Sequence, residues 1–284
     1  MPKKTPKKKR SRLTAKTADP HMLYEASVQS VDADIDFIRK RFRRLRGRAA
    51  HSLREDFCGT AKLSCAWVQK SRENVAWGID LDGTTLDWCR RNHMVHLNSA
   101  TERMQLIRGD VMETKTPPVD VLAAFNFSYF IFKSRAALRS YFRCARRALK
   151  RDGVLVLDMF GGTGAPDTHE DGTIIDDEHD PTGRKVPNFT YEWEQARYNP
   201  VTNEILCHIH FSFRDGTRIS RAFTYDWRLW TVPELRELLA EAGFKESHFY
   251  THGWNNDGDD DGTFRRKDAF ENEEGWLAYI IGVK

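Results

Sequence analysis

The sequence has little of what staples an exported domain or builds a metal site. Its five cysteines, Cys58, Cys65, Cys89, Cys144 and Cys207, are odd in number, widely spaced and free of any CxxC pair. That pattern speaks against a disulfide framework or a zinc site and for reduced thiols in an intracellular, cytoplasmic protein. No apolar run approaches the roughly 20 residues of a membrane span, and the opening MPKKTPKKKRSR has no apolar core, so it does not read as a signal peptide. Acids are missing from Met1 to Lys16, where the Lys/Arg surplus behind a formal net charge of +4 is concentrated. Residues 1–20 are therefore expected to form a disordered basic tail, the one feature through which nucleic acid or nuclear import is approachable. His208 and His210 share one strand face but lack a third ligand, so no metal is expected. The stretch Asp257 to Asp268 fits much of a calcium-loop template. Its twelfth position is the short Asp268, however, and Arg265, Arg266 and Lys267 oppose a cation, so it reads as an acidic surface turn. Glycine is scarce at the most telling place: in LREDFCGTAKL, Phe57 and Ala61 stand where a dinucleotide fold has glycines.

What is present is a regular α/β alternation. With 284 residues, 40% hydrophobic and 12% aromatic, the chain can bury one large core, and residues 21–284 are expected to form a single domain. Residues 21–48 show a helical period and read as a helical lid. Strands are then predicted over Ala49 to Asp56, Val75 to Asp80, 104–110, 119–127 and 153–160. Helices are predicted over Ala61 to Lys70, Thr84 to His96 and Ser134 to Lys150. Such an order implies a parallel sheet with helices on both faces and ligands beyond the carboxyl ends of the strands. Residues 161–187, rich in Gly, Asp, Pro and Thr, read as a lid or binding loop, with FGGTGAPD as plain loop. Period-two runs over 188–227 predict an inserted antiparallel meander of three strands. A helix follows, capped by Thr231, with Pro233 in its first turn and Gly243 at its end. KESHFYTH and GWLAYIIGV are the last two strands, joined by a loop from Gly253 to Gly275.

The acids at successive strand ends carry the chemistry. Glu55 or Asp56 ends the first strand ahead of Cys58-Gly59-Thr60, Asp80 ends the second and is followed by Leu81, and Asp110-Val111 ends the third. The fourth ends in FNFSYF. This set resembles the cofactor site of class I S-adenosylmethionine-dependent methyltransferases, a likeness that runs from about residue 50 to the end. It implies a Rossmann-like, seven-stranded sheet and S-adenosyl-L-methionine as cofactor. Glu55, Cys58, Gly59 and Thr60 would hold the methionine half, Asp80 with Leu81 the ribose, and Asp110 with Val111 the adenine, with Phe125 and Asn126 closing the site. Asn126 and Tyr129 resemble the NPPY-type signature of amino methyltransferases without its prolines. FNFSYF is also similar to the Asn-Ser-Phe segment of glycine and sarcosine N-methyltransferases. The first likeness implies a grip on a planar nitrogen and the second, which is preferred, a small-molecule amine acceptor, with Asn126 and Tyr129 as catalytic residues.

Three further residues are candidates for the acceptor. Arg228, in TYDWRLW, offers a planar fork for a carboxylate beside Trp227. Tyr24, with Gln29, would close over the site from the lid. Were the acceptor a hydroxyl, Tyr129 or His169 would serve as base. A methyltransferase acting on RNA or protein through the basic tail, a dehydrogenase using Asp80, and a non-catalytic cofactor-binding protein are the competing readings.

Overall fold

The computed structural model describes residues 13–176, 178–254 and 260–284. Residues 1–12 of the basic tail lie outside them, and order begins ahead of residue 20. Residues 14–17 form a turn whose Ala15 N–H donates to the Thr217 hydroxyl, and Asp19 caps the first helix. Helices α1 (Pro20–Val28) and α2 (Val31–Arg46) occupy the expected lid. The alternation then runs β1 (Ser52–Asp56), α3 (Lys62–Gln69), β2 (Val75–Asp80), α4 (Gly83–Asn92), β3 (Met104–Arg108), β4 (Val119–Ala124), α5 (Arg135–Ala148) and β5 (Leu149–Gly161). β6 (His169–Ile175), β7 (Phe189–Asn199), β8 (Glu204–Phe213) and β9 (Arg218–Arg228) follow. The chain closes with α6 (Val232–Glu241), β10 (Glu246–Trp254), β11 (Asp260–Arg266) and β12 (Trp276–Val283).

The main sheet has the order β11-β10-β12-β5-β4-β1-β2-β3. β1 to β5 are mutually parallel, whereas β12 runs antiparallel to β5 and β10 antiparallel to β12. The expected seven strands are all present, and β11 adds an eighth at the edge. That strand lies inside the stretch read as a loop from Gly253 to Gly275. Its anchor is Phe264, which packs on Phe37 and Tyr279. One aromatic in a charged run carries too little periodicity to be legible. Of the acidic stretch from Asp257, residues 257–259 lie outside the described residues, and the part from Asp260 enters β11 as strand rather than turn.

The inserted sheet is also larger than expected. β6, within the segment read as lid or loop, pairs antiparallel with β7, so the meander has four strands, in the order β6-β7-β8-β9, and begins at His169 rather than 188. β6 is exposed on both faces and carries Gly172, so backbone pairing rather than apolar alternation holds it.

Two apolar layers flank the main sheet. α2 and α3 cover one face with Ile35, Phe42 and Trp67, while α5 and α6 cover the other with Tyr141, Phe142 and Leu238. Each fully buried side chain of this kind contributes about 1.5–3 kcal/mol. A third cluster, Leu23 with Phe189, Ile209 and Phe211, fastens α1 to the inserted sheet. The Thr231–Glu234 capping box starts α6 as the sequence implied. Among the described residues, no helix is long and apolar enough to cross a membrane.

At the amino-terminal end of the parallel strands, Asp120 is fully buried in β4. It accepts from the His51 and Ser52 N–H groups and the Ser52 hydroxyl, and pairs with Arg48 at 2.8 Å and Lys150 at 3.0 Å. Burial pushes its carboxyl up, but these donors outweigh that and hold it well below the usual carboxylate range. Replacing Asp120 by Ala strands the buried Ser52 donors, while the part-exposed Arg48 and Lys150 can turn to water, and is expected to cost about 1–3 kcal/mol in urea unfolding at pH 7. Because the folded-state pKa is depressed, the advantage of wild type over Asp120→Asn is full above about pH 4 and shrinks as the pH falls further.

Candidate functional site

Alternation along β1 sends its two terminal acids to opposite faces. Asp56 turns to Arg54 at 2.6 Å and to the Tyr141 hydroxyl at 3.1 Å; Arg54 in turn donates to the Val111 and Thr114 carbonyls. Asp56 therefore belongs to a structural network. Glu55 points the other way, to the start of α3, where the Ser64 N–H at 3.0 Å and hydroxyl at 2.5 Å donate to it.

The connecting loop makes three left-handed turns, at Phe57 (φ 57°), Gly59 (φ 52°) and Ala61 (φ 50°). Its path is the one glycines normally allow, kept here by two residues with side chains at a cost of roughly 1–2 kcal/mol each. Phe57 is held by Phe132 and Tyr141. The loop also lies close against β2, where a Cβ added at Gly78 would meet Cys58 Sγ at 3.0 Å and Ala61 Cβ at 3.3 Å. The Gly59 N–H donates to Asp80 Oδ2 at 2.8 Å, and the Asp82 N–H to Oδ1 at 2.9 Å. Beyond Asp80 lie Leu81, 65% exposed, and then Asp110, exposed and accepting from the Met112 N–H, with Val111 buried behind it. Glu55, Asp80 and Asp110 thus end three adjacent strands along one rim.

The loop after β4 forms the facing wall. Phe125 is buried, and Asn126 and Phe127 are both left-handed, with φ 55° and 57°. Their N–H groups donate to the Asp158 carboxylate at 2.7 and 3.0 Å. Among the described residues, the Asn126 side chain makes no hydrogen bond. Asp158, on β5, was missed by sequence reasoning; the only signal was an acid breaking the apolar run GVLVLDMF near a strand's carboxyl end. Tyr129 does not fill the catalytic place expected of it. It is fully buried against Phe130 and Phe142, and its hydroxyl donates to the Asp158 carbonyl at 2.9 Å.

The lid adds two groups from above. Asp34, on α2, accepts from the Tyr279 hydroxyl of β12, and Phe37 stacks on the same ring at 4.1 Å. Tyr24, on α1, packs on Phe223 at 5.0 Å. Burial, with the charge of Asp158 nearby, pushes its hydroxyl up to about 12. Gln29 Oε1 and Thr60 Oγ1 are buried without a hydrogen-bond partner. Two expected acceptor contacts are otherwise engaged. Arg228 is bound through Nη2 to Glu234 at 2.9 Å and through Nη1 to the Lys133 carbonyl, and lies over Trp230 at 4.0 Å, with its Nε buried without a hydrogen-bond partner. Trp227 is buried, stacked on Tyr225 at 4.3 Å and edge-on to Phe127 and Phe130, and it seals the meander against the β4 loop. His169, on β6, lies in the wall of a large cavity that Phe127 also lines.

The site's electrostatics are one-sided. Burial raises Asp34 to about 6, Asp158 to about 7 and Glu55 to about 8; the charge of Asp34 adds to the last two, and that of Asp80 to Glu55. Among the described residues, none of these four carboxyls has an ion-pair partner, although Asp56, two atoms' width of backbone away, has Arg54. Carboxyls drawn together without a counter-cation suit a ligand that brings positive charge. The unpartnered Thr60 hydroxyl and Gln29 carbonyl face the same need for a polar guest.

The fold is that of S-adenosylmethionine-dependent methyltransferases. One such enzyme from Clostridium acetobutylicum is similar with a TM-score of 0.64 at 16% identity, over 92% of this chain and 96% of that one. CalS10, an amino pentose methyltransferase from Micromonospora echinaspora solved with S-adenosylmethionine bound, is similar at 0.63 and 15%, over 92% and 95%. The sugar N-methyltransferase KedS8 from Streptoalloteichus is similar at 0.60 and 18%, over 100% and 98%. No protein-family model and no curated protein sequence matches the chain.

Because the folded-state pKa of Glu55 is raised, its ionisation erodes stability as the pH climbs from the unfolded value towards about 8. Glu55→Gln is expected to match wild type at pH 5 and to exceed it by more than ~1 kcal/mol at pH 8, in urea melts without ligand. Equal effects at the two pH values would show that Glu55 is not held in this environment.

Proposed function

We propose that the protein transfers a methyl group from S-adenosyl-L-methionine to a nitrogen of a small-molecule amine. The observation that carries this reading is the set of inward-facing carboxyls, Asp34, Glu55, Asp80 and Asp158, gathered at the strand ends without a basic partner. The cofactor, when bound, supplies an electrophilic methyl on a positively charged sulfur. Asp80 would accept the ribose hydroxyls, with Leu81 against the sugar face, and Asp110 the adenine amino group, with Val111 beneath the ring. Glu55, Cys58, Gly59 and Thr60 would take the methionine half, the carboxylate meeting N–H groups at the start of α3.

The remaining residues align and enclose. The Asn126 side chain and the Phe127 ring face the acceptor from a loop that Asp158 holds in one conformation, and Phe125 closes the floor. α1 and α2, with Tyr24, Gln29 and Asp34, exclude water from above. An amine attacks as its free base and needs no dedicated catalytic base. The names of CalS10 and KedS8, which methylate an amino pentose and a sugar nitrogen, support a nitrogen acceptor. The free thiols of Cys58, Cys65, Cys89 and Cys207, all buried, support a reducing, cytoplasmic setting.

Calorimetry is expected to show binding of S-adenosylmethionine and S-adenosylhomocysteine, weakened at least ~10-fold by Asp80→Ala, as loss of charge-assisted hydrogen bonds requires. Binding of a cation lowers the raised carboxyl pKa values, so protons are released and affinity for S-adenosylmethionine climbs between pH 6 and 8. Enthalpies that do not depend on the ionisation heat of the buffer would contradict this. Radiolabelled methyl groups are expected in the small-molecule fraction of cell extract; label confined to RNA or protein would overturn the choice of acceptor.

A further inference from the structure

A cavity of about 980 Å³ opens beside the β4 loop, between the inserted sheet and the carboxyl end of β5. It shares Phe127 with the site described above and extends outward between Trp193 of the inserted sheet and Trp276 of β12. Its volume lies at the upper end of the range for drug-sized ligands and far exceeds what a two-carbon amino acid needs. Four carboxylates line it, Asp167, Asp171, Glu273 and Glu274, and among its described lining residues there is no lysine or arginine.

Two of these acids are held in place by the backbone. The turn after β5, in the motif FGGTG, donates from the Thr163 N–H to the Glu273 carbonyl and from the Gly164 N–H to the Glu274 carbonyl, both at 2.9 Å. The approach is so close that a Cβ at Gly161 would meet Trp276 at 2.3 Å, and one at Gly162 (φ 133°) the Glu274 carbonyl oxygen at 2.2 Å. Glycine is required here because a strand turn and the segment before β12 lie directly on each other. Gln195, 1% exposed, fixes the next residues by donating to the Ala165 and Asp167 carbonyls, both at 2.8 Å. The Glu273 and Glu274 side chains have no ion pair among the described residues. The result is an aromatic slot whose mouth carries the positioned Glu273 and Glu274 without an ion pair among the described residues, while Asp171 lies 3.4 Å from His169 Nε2.

We propose that this cavity selects acceptors carrying several positive charges, with one amine presented at Phe127 for methylation and a second ammonium held by Glu273 and Glu274. The inference rests on the proposed methyl transfer and names its acceptor class. Aromatic faces attract cations as the carboxylates do, whereas a phosphate or carboxylate on the acceptor would be repelled. Linear polyamines and poly-aminated rings share the required chemistry.

The test uses the full chain with labelled S-adenosylmethionine and four acceptors: spermidine, the poly-aminated ring compound neamine, glucosamine and glucosamine 6-phosphate. Spermidine or neamine is expected to show kcat/KM at least ~10-fold above both glucosamines and to lose it as salt rises. Turnover of spermidine alone assigns a linear acceptor, and of neamine alone a cyclic one. The double variant Glu273→Gln/Glu274→Gln is expected to raise KM for the polycation at least ~10-fold more than KM for glucosamine, while its affinity for S-adenosylhomocysteine stays at the wild-type value. Preference for the phosphorylated sugar, equal KM changes for both acceptor types, or no turnover of any polycation by protein that binds S-adenosylhomocysteine would overturn the inference alone. Failure of wild type to bind S-adenosylhomocysteine would overturn the methyltransferase reading, and this inference with it.

Discussion

Carboxylates that meet at the ends of parallel strands must either find a cation or suppress their own charge. In this protein β2 ends on Asp80, β1 and β5 carry Glu55 and Asp158 close to their carboxyl ends, and α2 lowers Asp34 among them, yet basic residues pair elsewhere. Arg54 serves Asp56, while Arg48 and Lys150 serve Asp120. Charge is balanced where the sheet needs stability and left unbalanced where the strands open. Burial, with the neighbouring carboxyls, raises the pKa values of Glu55 and Asp158 towards neutrality, so without a cation the site is held partly protonated at a cost in stability. A cationic ligand removes that cost on arrival, which converts a liability of the free protein into affinity.

Strain is distributed by the same acids. Phe57, Ala61, Asn126 and Phe127 all lie in the left-handed region, two in each of the loops that face each other across the site. Such conformations persist only where surrounding contacts over-determine them. The Asp158 carboxylate takes both N–H groups of the Asn126–Phe127 turn, and Asp80 takes the N–H of Gly59 between the two strained residues of the other loop. A hydrogen bond to a charged group contributes about 1.5–3 kcal/mol, enough to offset one left-handed residue. Loops built this way are stiff, and a stiff pair of loops can hold a donor and an acceptor in line.

Much of this was legible because it is periodic. Parallel strands announce themselves as apolar runs of fixed length, and acids at their carboxyl ends, such as Glu55, Asp80 and Asp110, stand out against those runs. Asp158 and Asp34 escaped because each is a single acid within a regular element, significant only once β5 lies beside β4 and α2 folds over the sheet. The Phe57–Ala61 loop could be recognised in outline but not traced, since propensity alone argues against left-handed Phe and Ala. Tyr129 and Arg228 failed as site residues for a shared reason. A hydroxyl or guanidinium seen in sequence looks available, but Tyr129 meets a backbone carbonyl and Arg228 meets Glu234, a residue whose position depends on the turn into α6. β6 and β11 were lost because backbone pairing, which leaves no trace in composition, holds them more than side chains do.

The division between the two sheets follows from these constraints. Each oxygen of Asp80 already accepts one N–H but retains a second lone pair, so a ribose can be received without releasing the loop that shapes the pocket. The main sheet can therefore keep one rigid arrangement for a cofactor of fixed chemistry. The large cavity has a mixed construction: beside the regular strand β7, its walls come from the turn after β5, the edge strand β6 and the segment before β12, which carry no strong periodic pattern. Irregular segments tolerate substitution because few core contacts depend on their side chains. Under the proposed function, the acceptor would then meet walls whose irregular parts can change at small cost to the fold, and the methyl donor the rigid rim of the main sheet, where change costs more.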